Sequence, residues 1–239
     1  MKIAFIGYGK MGKAIEEIAL AKGHEIVLRI SQNNLDQFTI QNIQQADVCI
    51  EFSTPETAFK NITTCLQAGI PVVSGTTAWL DKLKEAESIC LQNHTAFLYA
   101  SNFSIGVNLF FKLNAMLAKL MSTHHEYKVS MEEIHHTQKK DAPSGTAVTL
   151  AEGILANQSN KKQWVNEVSS NPEDLIILSK RIDPAPGTHT INYDSDIDSI
   201  SITHTAHSRK GFASGALMAA EFLVGKQGIY TMKDVLVID

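Results

Sequence analysis

Lys2-Ile3-Ala4-Phe5-Ile6-Gly7-Tyr8-Gly9-Lys10-Met11-Gly12 runs from an apolar pentapeptide straight into G-x-G-x-x-G. Ala14, Ile15, Ile18, Ala19 and Ala21 follow at helical spacing, so the glycines sit between a strand and a helix. In that setting each glycine has a task. Gly7 permits the tight turn, Gly9 lets backbone approach a pyrophosphate, and Gly12 lets helix and strand pack closely. A purely structural Gly-rich turn is the rival reading. The second strand that follows, Gly23-His24-Glu25-Ile26-Val27-Leu28-Arg29-Ile30, favours a dinucleotide.

The carboxylate that usually bonds the adenosine ribose is due about 20 residues past the glycines. Ser31 stands there, followed by Gln32-Asn33-Asn34. No acid repels a 2′-phosphate at that point, and Arg29 is near in sequence, so NADPH is expected and NADH stays open. The strand–helix rhythm continues. Asp47–Phe52 leads to Ser53-Thr54-Pro55-Glu56, where Thr54 suits a cap, Pro55 the first helical position and Glu56 the first turn. Ile70–Val73 leads to Ser74-Gly75-Thr76-Thr77, and Ala96–Tyr99 to Ala100-Ser101-Asn102-Phe103-Ser104. Loops at the carboxyl ends of consecutive parallel strands are where open α/β sheets bind ligands. The expected fold class is therefore α/β, beginning with a Rossmann-type dinucleotide-binding domain.

From Ile105 the pattern changes. A long amphipathic helix, Val107 to about Met121, precedes a partly alternating strand, Tyr127–Ile134. Then comes Glu133-Ile134-His135-His136-Thr137-Gln138-Lys139-Lys140-Asp141-Ala142-Pro143-Ser144-Gly145-Thr146, which leads into a helical stripe of Ala147, Leu150, Ala151, Ile154 and Leu155. Two imidazoles and two ammonium groups thus stand between a strand end and a helix start. A lysine pair is ordinarily solvated surface, and Pro-Ser-Gly an ordinary helix start with Ser144 as cap. Together with a titratable histidine, however, the cluster suits a small polyanionic substrate that is protonated during reaction. Residues 157–174 read as a polar surface loop, and Leu175–Arg181, Thr188–Tyr193 and Ile197–Thr205 as strands separated by turn signals. This is an α+β domain with a mostly antiparallel or mixed sheet. The small-residue helix Phe212–Leu223 is expected to return to the first domain. The boundaries expected are 1–104 rejoined by 209–239, and 105–208.

Composition excludes several classes. A net charge of -4 across 239 residues argues against a nucleic-acid surface. No apolar run approaches the ~20 residues of a membrane span. Cys49, Cys65 and Cys90 are odd in number and widely spaced, as expected of buried thiols in a reducing, cytoplasmic setting. His124-His125 and His204-x-x-His207 lack a third converging partner, and His204 and His207 would face opposite ways on a strand, so no metal is expected.

These residues resemble the 4-hydroxy-tetrahydrodipicolinate (dihydrodipicolinate) reductase family. Its signature E-x-H-H-x-x-K-x-D-A-P-S-G-T-A is matched at Glu133 to Ala147. Supporting matches are Gly9-Lys10-Met11-Gly12, Phe52-Ser53-x-Pro55-Glu56, Gly75-Thr76-Thr77, Ala100 to Asn108, and Thr203 to Ala216 with Arg209 among them. The resemblance spans nearly the whole chain. It implies NADPH or NADH held by Gly7, Tyr8, Gly9, Lys10, Met11 and Gly12, with Ser31, Phe52, Gly75, Thr76, Thr77, Ala100, Ser101, Asn102 and Phe103. It implies His135 as acid/base residue, Lys139 as proton donor, and His136, Ser144, Gly145 and Thr146 on the carboxylates of a small dicarboxylate substrate. A cytoplasmic homotetramer in lysine and diaminopimelate synthesis is also implied. Two rivals stand at this point: another two-domain NAD(P)-dependent oxidoreductase, and a catalytically silent nucleotide sensor of the same fold.

Overall fold

The computed structural model describes residues 1–208 and 210–238. Arg209, which falls within the carboxyl-terminal match and opens the returning segment, and Asp239 lie outside the described residues. The chain divides into two compact units, Met1–Ile105 with Lys210–Asp239, and Gly106–Arg209.

In the first unit the chain runs β1 (Lys2–Ile6), α1 (Lys10–Ala21), β2 (Glu25–Ile30), α2 (Ile40–Ile43), β3 (Val48–Glu51), α3 (Pro55–Gln67), β4 (Val72–Ser74), α4 (Leu83–Gln92) and β5 (Ala96–Tyr99). The second unit contains α5 (Ile105–Met121), β6 (Lys128–His135), α6 (Gly145–Leu155), β7 (Gln163–Val165), β8 (Asp174–Arg181), β9 (Thr188–Asp194) and β10 (Ser199–Thr205). The returning segment supplies α7 (Lys210–Leu223), β11 (Gly228–Tyr230) and α8 (Met232–Leu236).

The first unit is a six-stranded sheet in the order β11-β5-β4-β3-β1-β2, every neighbouring pair parallel. Such a sheet must be covered on both faces, and β1 shows how. Ile3 and Phe5 point into a core with α1, α7 and α8, while Ala4 and Ile6 point into a second core with α2, α3 and α4. All three cysteines are buried and unpaired, and lie in that second core. The small residues of α7 allow close packing: a Cβ on Gly215 would stand 1.8 Å from the Phe103 carbonyl oxygen. The chain order reverses between β1 and β3, which places a topological switch point at their carboxyl ends.

The second unit is a five-stranded mixed sheet in the order β10-β9-β6-β8-β7. β9 pairs antiparallel with both β10 and β6, whereas β6, β8 and β7 run parallel. Strand β6 alternates strictly, burying Val129, Met131, Glu133 and His135. Val129 and Met131 join the apolar core with α5 and α6. The same period therefore carries Glu133 and His135 onto the covered face. That face turns polar towards the end of the strand.

Some local expectations differ from what is observed. The stretch 157–174 contains β7, whose three residues are too few to show alternation. Thr54 occupies the cap position of α3, but its hydroxyl meets Thr57 Oγ1 at 3.2 Å rather than a backbone N–H. His207 lies past the end of β10 at Thr205, so the expected opposition of His204 and His207 on one strand does not arise; His204 instead packs against the Phe110 ring.

Candidate active site

In the first unit, Gly9 caps α1 without any side-chain hydrogen bond, and the first turn contains no acid. The helix start is thus left to backbone donors, the arrangement that suits a phosphate. Gly7 has φ +93°, and a Cβ there would stand 2.1 Å from the Phe52 carbonyl oxygen, so only glycine fits between the ends of β1 and β3. A cleft of about 460 Å3 is lined by Gly7, Tyr8, Gly9, Ser31, Gln32, Asn33, Phe52 and Thr54, among others. A second, of about 280 Å3, is lined by Met11, Phe52, Ser53, Pro55, Gly75, Thr76 and Thr77. Phe52 belongs to both. These clefts and the bare helix start fit a dinucleotide.

Lys10, Gly12 and Ala100 to Phe103 line neither cleft. Lys10 is exposed, and Gly12 packs against the Gly7 carbonyl, where a Cβ would be 3.3 Å away. Asn102 accepts from the Ser104 N–H at 2.9 Å, and the buried Phe103 ring supports Phe52 at 5.7 Å between centroids. At the ribose position, Ser31 donates from its N–H and hydroxyl to Asn34 Oδ1, at 2.8 and 2.9 Å. Arg29 does not stand free beside it. Its Nε donates to Glu16 Oε1 at 2.8 Å, Nη2 bonds the same oxygen, and the guanidinium lies over Tyr8. The buried carboxylate of Glu16, on α1, holds that charge.

Sequence reasoning passed over Glu51. Fully buried at the end of β3, it accepts from the Ser53 N–H (3.0 Å), the Ser74 hydroxyl (2.7 Å), the Thr76 hydroxyl (2.9 Å) and the Ser53 hydroxyl. Burial raises its carboxyl above the ordinary range, against the pull of those donors. One side chain thereby fastens together the loops after β3 and β4.

In the second unit, the signature forms a single construction. Ser144 caps α6, accepting from the Ala147 N–H at 3.2 Å, and its own N–H donates to both oxygens of Glu133 at 3.1 Å. Gly145 and Thr146 open the helix, Gly145 exposed and Thr146 half-buried. The Lys139 N–H closes a turn onto the His136 carbonyl at 3.1 Å. Asp183 braces that turn, accepting from the Thr137 N–H and hydroxyl at 3.1 and 2.6 Å. The Lys139 ammonium meets both oxygens of Asp141 at 2.8 Å. His136 is half-buried, whereas His135 is buried.

Three further residues come from distant strands. Sheet register places His189 of β9 and Ser179 of β8 beside Glu133, and Arg181 beside His135. The Ser179 hydroxyl donates to Glu133 at 2.8 Å and Arg181 Nη2 at 3.2 Å. Arg181 also donates to the carbonyls of Lys139 (3.4 Å) and Asp141 (2.5 Å), tying the cationic loop to the sheet. His189 Nε2 lies 3.2 Å from the Ser144 hydroxyl, and its ring meets that of His135 edge-on at 5.1 Å.

Burial alone would raise the Glu133 carboxyl, but the His135 ring beside it and donors from Ser144 and Ser179 outweigh it and hold it well below the usual range. Burial pushes His189 down to about 4, aided by His135. This predicts acid sensitivity. The unfolded chain takes up the proton near pH 6.5 and the folded one only near 4, so stability is complete above 6.5 and falls across that window. The shift corresponds to roughly 3 kcal/mol at most. Urea melts at neutral and acid pH should show His189→Gln with the flatter dependence; equal slopes would refute it.

The first unit offers a helix start left to backbone donors with clefts beside it, and the second a cationic turn joined through Glu133 and Arg181 to a capped helix start. Such a chain is a nicotinamide-dependent oxidoreductase. The family described as "Dihydrodipicolinate reductase, N-terminus" matches residues 1–103, and its C-terminal counterpart matches 106–236. A 4-hydroxy-tetrahydrodipicolinate reductase of Christiangramia forsetii is 52% identical, covering 99% of this chain and 98% of that one. Another, of Thermosipho africanus, is 34% identical over the same shares. A solved structure titled as a dipicolinate-bound dihydrodipicolinate reductase from Paenisporosarcina sp. TG-14 superposes with a TM-score of 0.77 at 22% identity, covering 97% of each chain. The chain belongs to the dihydrodipicolinate reductase family.

Proposed function

We propose that this chain reduces 4-hydroxy-tetrahydrodipicolinate to tetrahydrodipicolinate with NADPH or NADH, within lysine and diaminopimelate synthesis, using His135 and Lys139 for proton handling. The observation that carries the assignment of roles is the joining of His135, Lys139 and the Ser144 helix start through Glu133 and Arg181. The first unit would hold the nucleotide at Gly7 to Gly12 and around Phe52 and Gly75 to Thr77, with Ser31 at the ribose. Ala100 to Phe103 would support that site from behind Phe52. The second unit would hold the substrate.

Bound NADPH or NADH supplies the hydride. The remaining chemistry falls to side chains and backbone. Substrate carboxylates are met by the N–H groups of Gly145 and Thr146, by the Ser144 region and by His136, where ionic hydrogen bonds are strongest. As electrons move onto the ring nitrogen, the Lys139 ammonium stabilises the developing charge and gives up a proton. For this Lys139 must leave Asp141, an exchange of one carboxylate partner for another. His135 serves as the acid/base group.

The test is loss of reduced-nicotinamide absorbance with enzymatically generated substrate. A nucleotide sensor would bind the cofactor without consuming it. Gly145→Val gives a sharper check. A Cβ at Gly145 meets nothing within 4 Å, so the fold should tolerate it. The added bulk shields the helix start, and the substrate KM is expected to rise roughly 10–100-fold, the worth of a hydrogen bond to a charged group. An unchanged KM would remove this turn from the site.

We further propose a cytoplasmic homotetramer. The three unpaired thiols support a reducing compartment. Leu109, Leu113, Met116 and Leu120 lie about half exposed or more along one stripe of α5, the kind of face that a second copy covers.

A further inference from the structure

We propose that Glu133 is a positioning residue for the reaction, its carboxylate fixing the His135 ring by the Nδ1 edge and fixing the start of α6 through Ser144. The inference rests on the reading of His135 as the acid/base group. Glu133 is completely buried, and His135 Nδ1 stands 3.3 Å from its Oε2. That nitrogen makes no aligned hydrogen bond and is shut away from solvent, so Oε2 is the acceptor within its reach. Catalytic hydrogen bonds commonly tighten only in the reacting complex. The opposite nitrogen, Nε2, borders Gly187, where a Cβ would approach to 3.0 Å. With Nδ1 turned to the carboxylate and Nε2 left uncrowded by a glycine, Nε2 becomes the nitrogen that exchanges a proton. A carboxylate that fixes the orientation and tautomer of a catalytic imidazole is a general device.

The carboxylate is itself immobilised. Both oxygens accept from the Ser144 N–H, and Oε1 accepts also from Ser179 and Arg181. His189 closes the remaining side, its Nε2 3.7 Å from Oε2. The charged and titratable groups around His135 are thus Glu133 on its own strand, His189 on β9 and Arg181 on β8. Glu133, His135 and His189 also bring three ligand-type atoms within 4.8 Å of one another. A metal there would have to compete with the donors already on Glu133 and with the Arg181 guanidinium, so the cluster reads as a hydrogen-bonded support.

Steady-state kinetics on four proteins test this: wild type, Glu133→Gln, His135→Gln and the double variant. Glu133→Gln keeps the shape and removes the charge. It is expected to lower kcat at least about tenfold, with NADPH affinity unchanged. In the His135→Gln background the same change should cost less than about twofold in kcat, because the ring it orients is gone, while its effect through Ser144 and the start of α6 falls on the substrate KM in both backgrounds. Equal losses in both backgrounds would show Glu133 acting apart from His135 and overturn the proposal. So would full activity of Glu133→Gln beside an impaired His135→Gln. Full activity of His135→Gln overturns instead the reading of His135 on which this rests. Should Glu133→Gln not fold, Glu133→Asp keeps the charge but draws it back from the ring, and the same dependence on His135 is expected of it.

Discussion

Lys139→Ala and His135→Ala are each expected to lower turnover about 10²–10⁴-fold, the usual worth of a positioned proton-transfer group, while NADPH binds as before. The lysine variant is the cleaner of the two. Its loop is anchored by Arg181 to the main-chain carbonyls of Lys139 and Asp141, and by Asp183 to Thr137. None of these contacts uses the ammonium, so truncation leaves the backbone path intact. The Asp141 carboxylate, exposed, loses its partner and is hydrated. The histidine variant is harsher locally, since the ring is buried between Glu133 and His189. Nucleotide titration by fluorescence then separates the units: unchanged affinity with depressed kcat places the loss in chemistry. Near-wild-type turnover in both variants would refute the proposed roles.

Much of the first unit was legible because its signals are local. Three glycines at fixed spacing, a strand before them and a helical stripe after them sit within about twenty positions, a span over which backbone sterics and periodicity decide structure. Strands β7 and β11 escaped notice because three residues cannot display a period and neither carries the apolar run that marked the equally short β4. The site in the second unit was half visible for a different reason. His135, Lys139 and Ser144 share one stretch, but their supports do not. His189 is 45 positions from Ser144 and Ser179 46 from Glu133, and only sheet register brings both beside Glu133. One signal was available. The alternation of β6 puts Glu133 on the same face as Val129 and Met131, and a carboxylate on an apolar face requires donors. Arg29 shows the reverse error: nearness in sequence to Ser31 suggested availability, yet Glu16 on the neighbouring helix holds it.

Gly215→Ala is expected to lose stability although the change adds a methyl to a helix interior. In a helix interior alanine is favoured over glycine by about 1 kcal/mol, so propensity alone predicts a gain. The packing predicts the opposite. The new Cβ would stand 1.8 Å from the Phe103 carbonyl oxygen and 2.8 Å from its carbon, and backbone cannot swing aside as a flexible side chain can. Overpacking of this kind costs typically 1–3 kcal/mol and occasionally more, so a net loss of about 2 kcal/mol is expected. At roughly 2–4 °C per kcal/mol, the melting of the first unit should fall by about 4–8 °C. The displacement also has a direction. Phe103 supports Phe52, which lines both clefts, so the KM for the nucleotide should rise while the substrate KM holds. Gly211, earlier on the same helix, supplies the control. A Cβ there meets only Ser104 Oγ at 3.7 Å, an ordinary contact, and Gly211→Ala should shift stability by less than about 0.5 kcal/mol. Equal losses in the two variants would mean that glycine is required in α7 for its flexibility rather than for the approach of α7 to the strand loop.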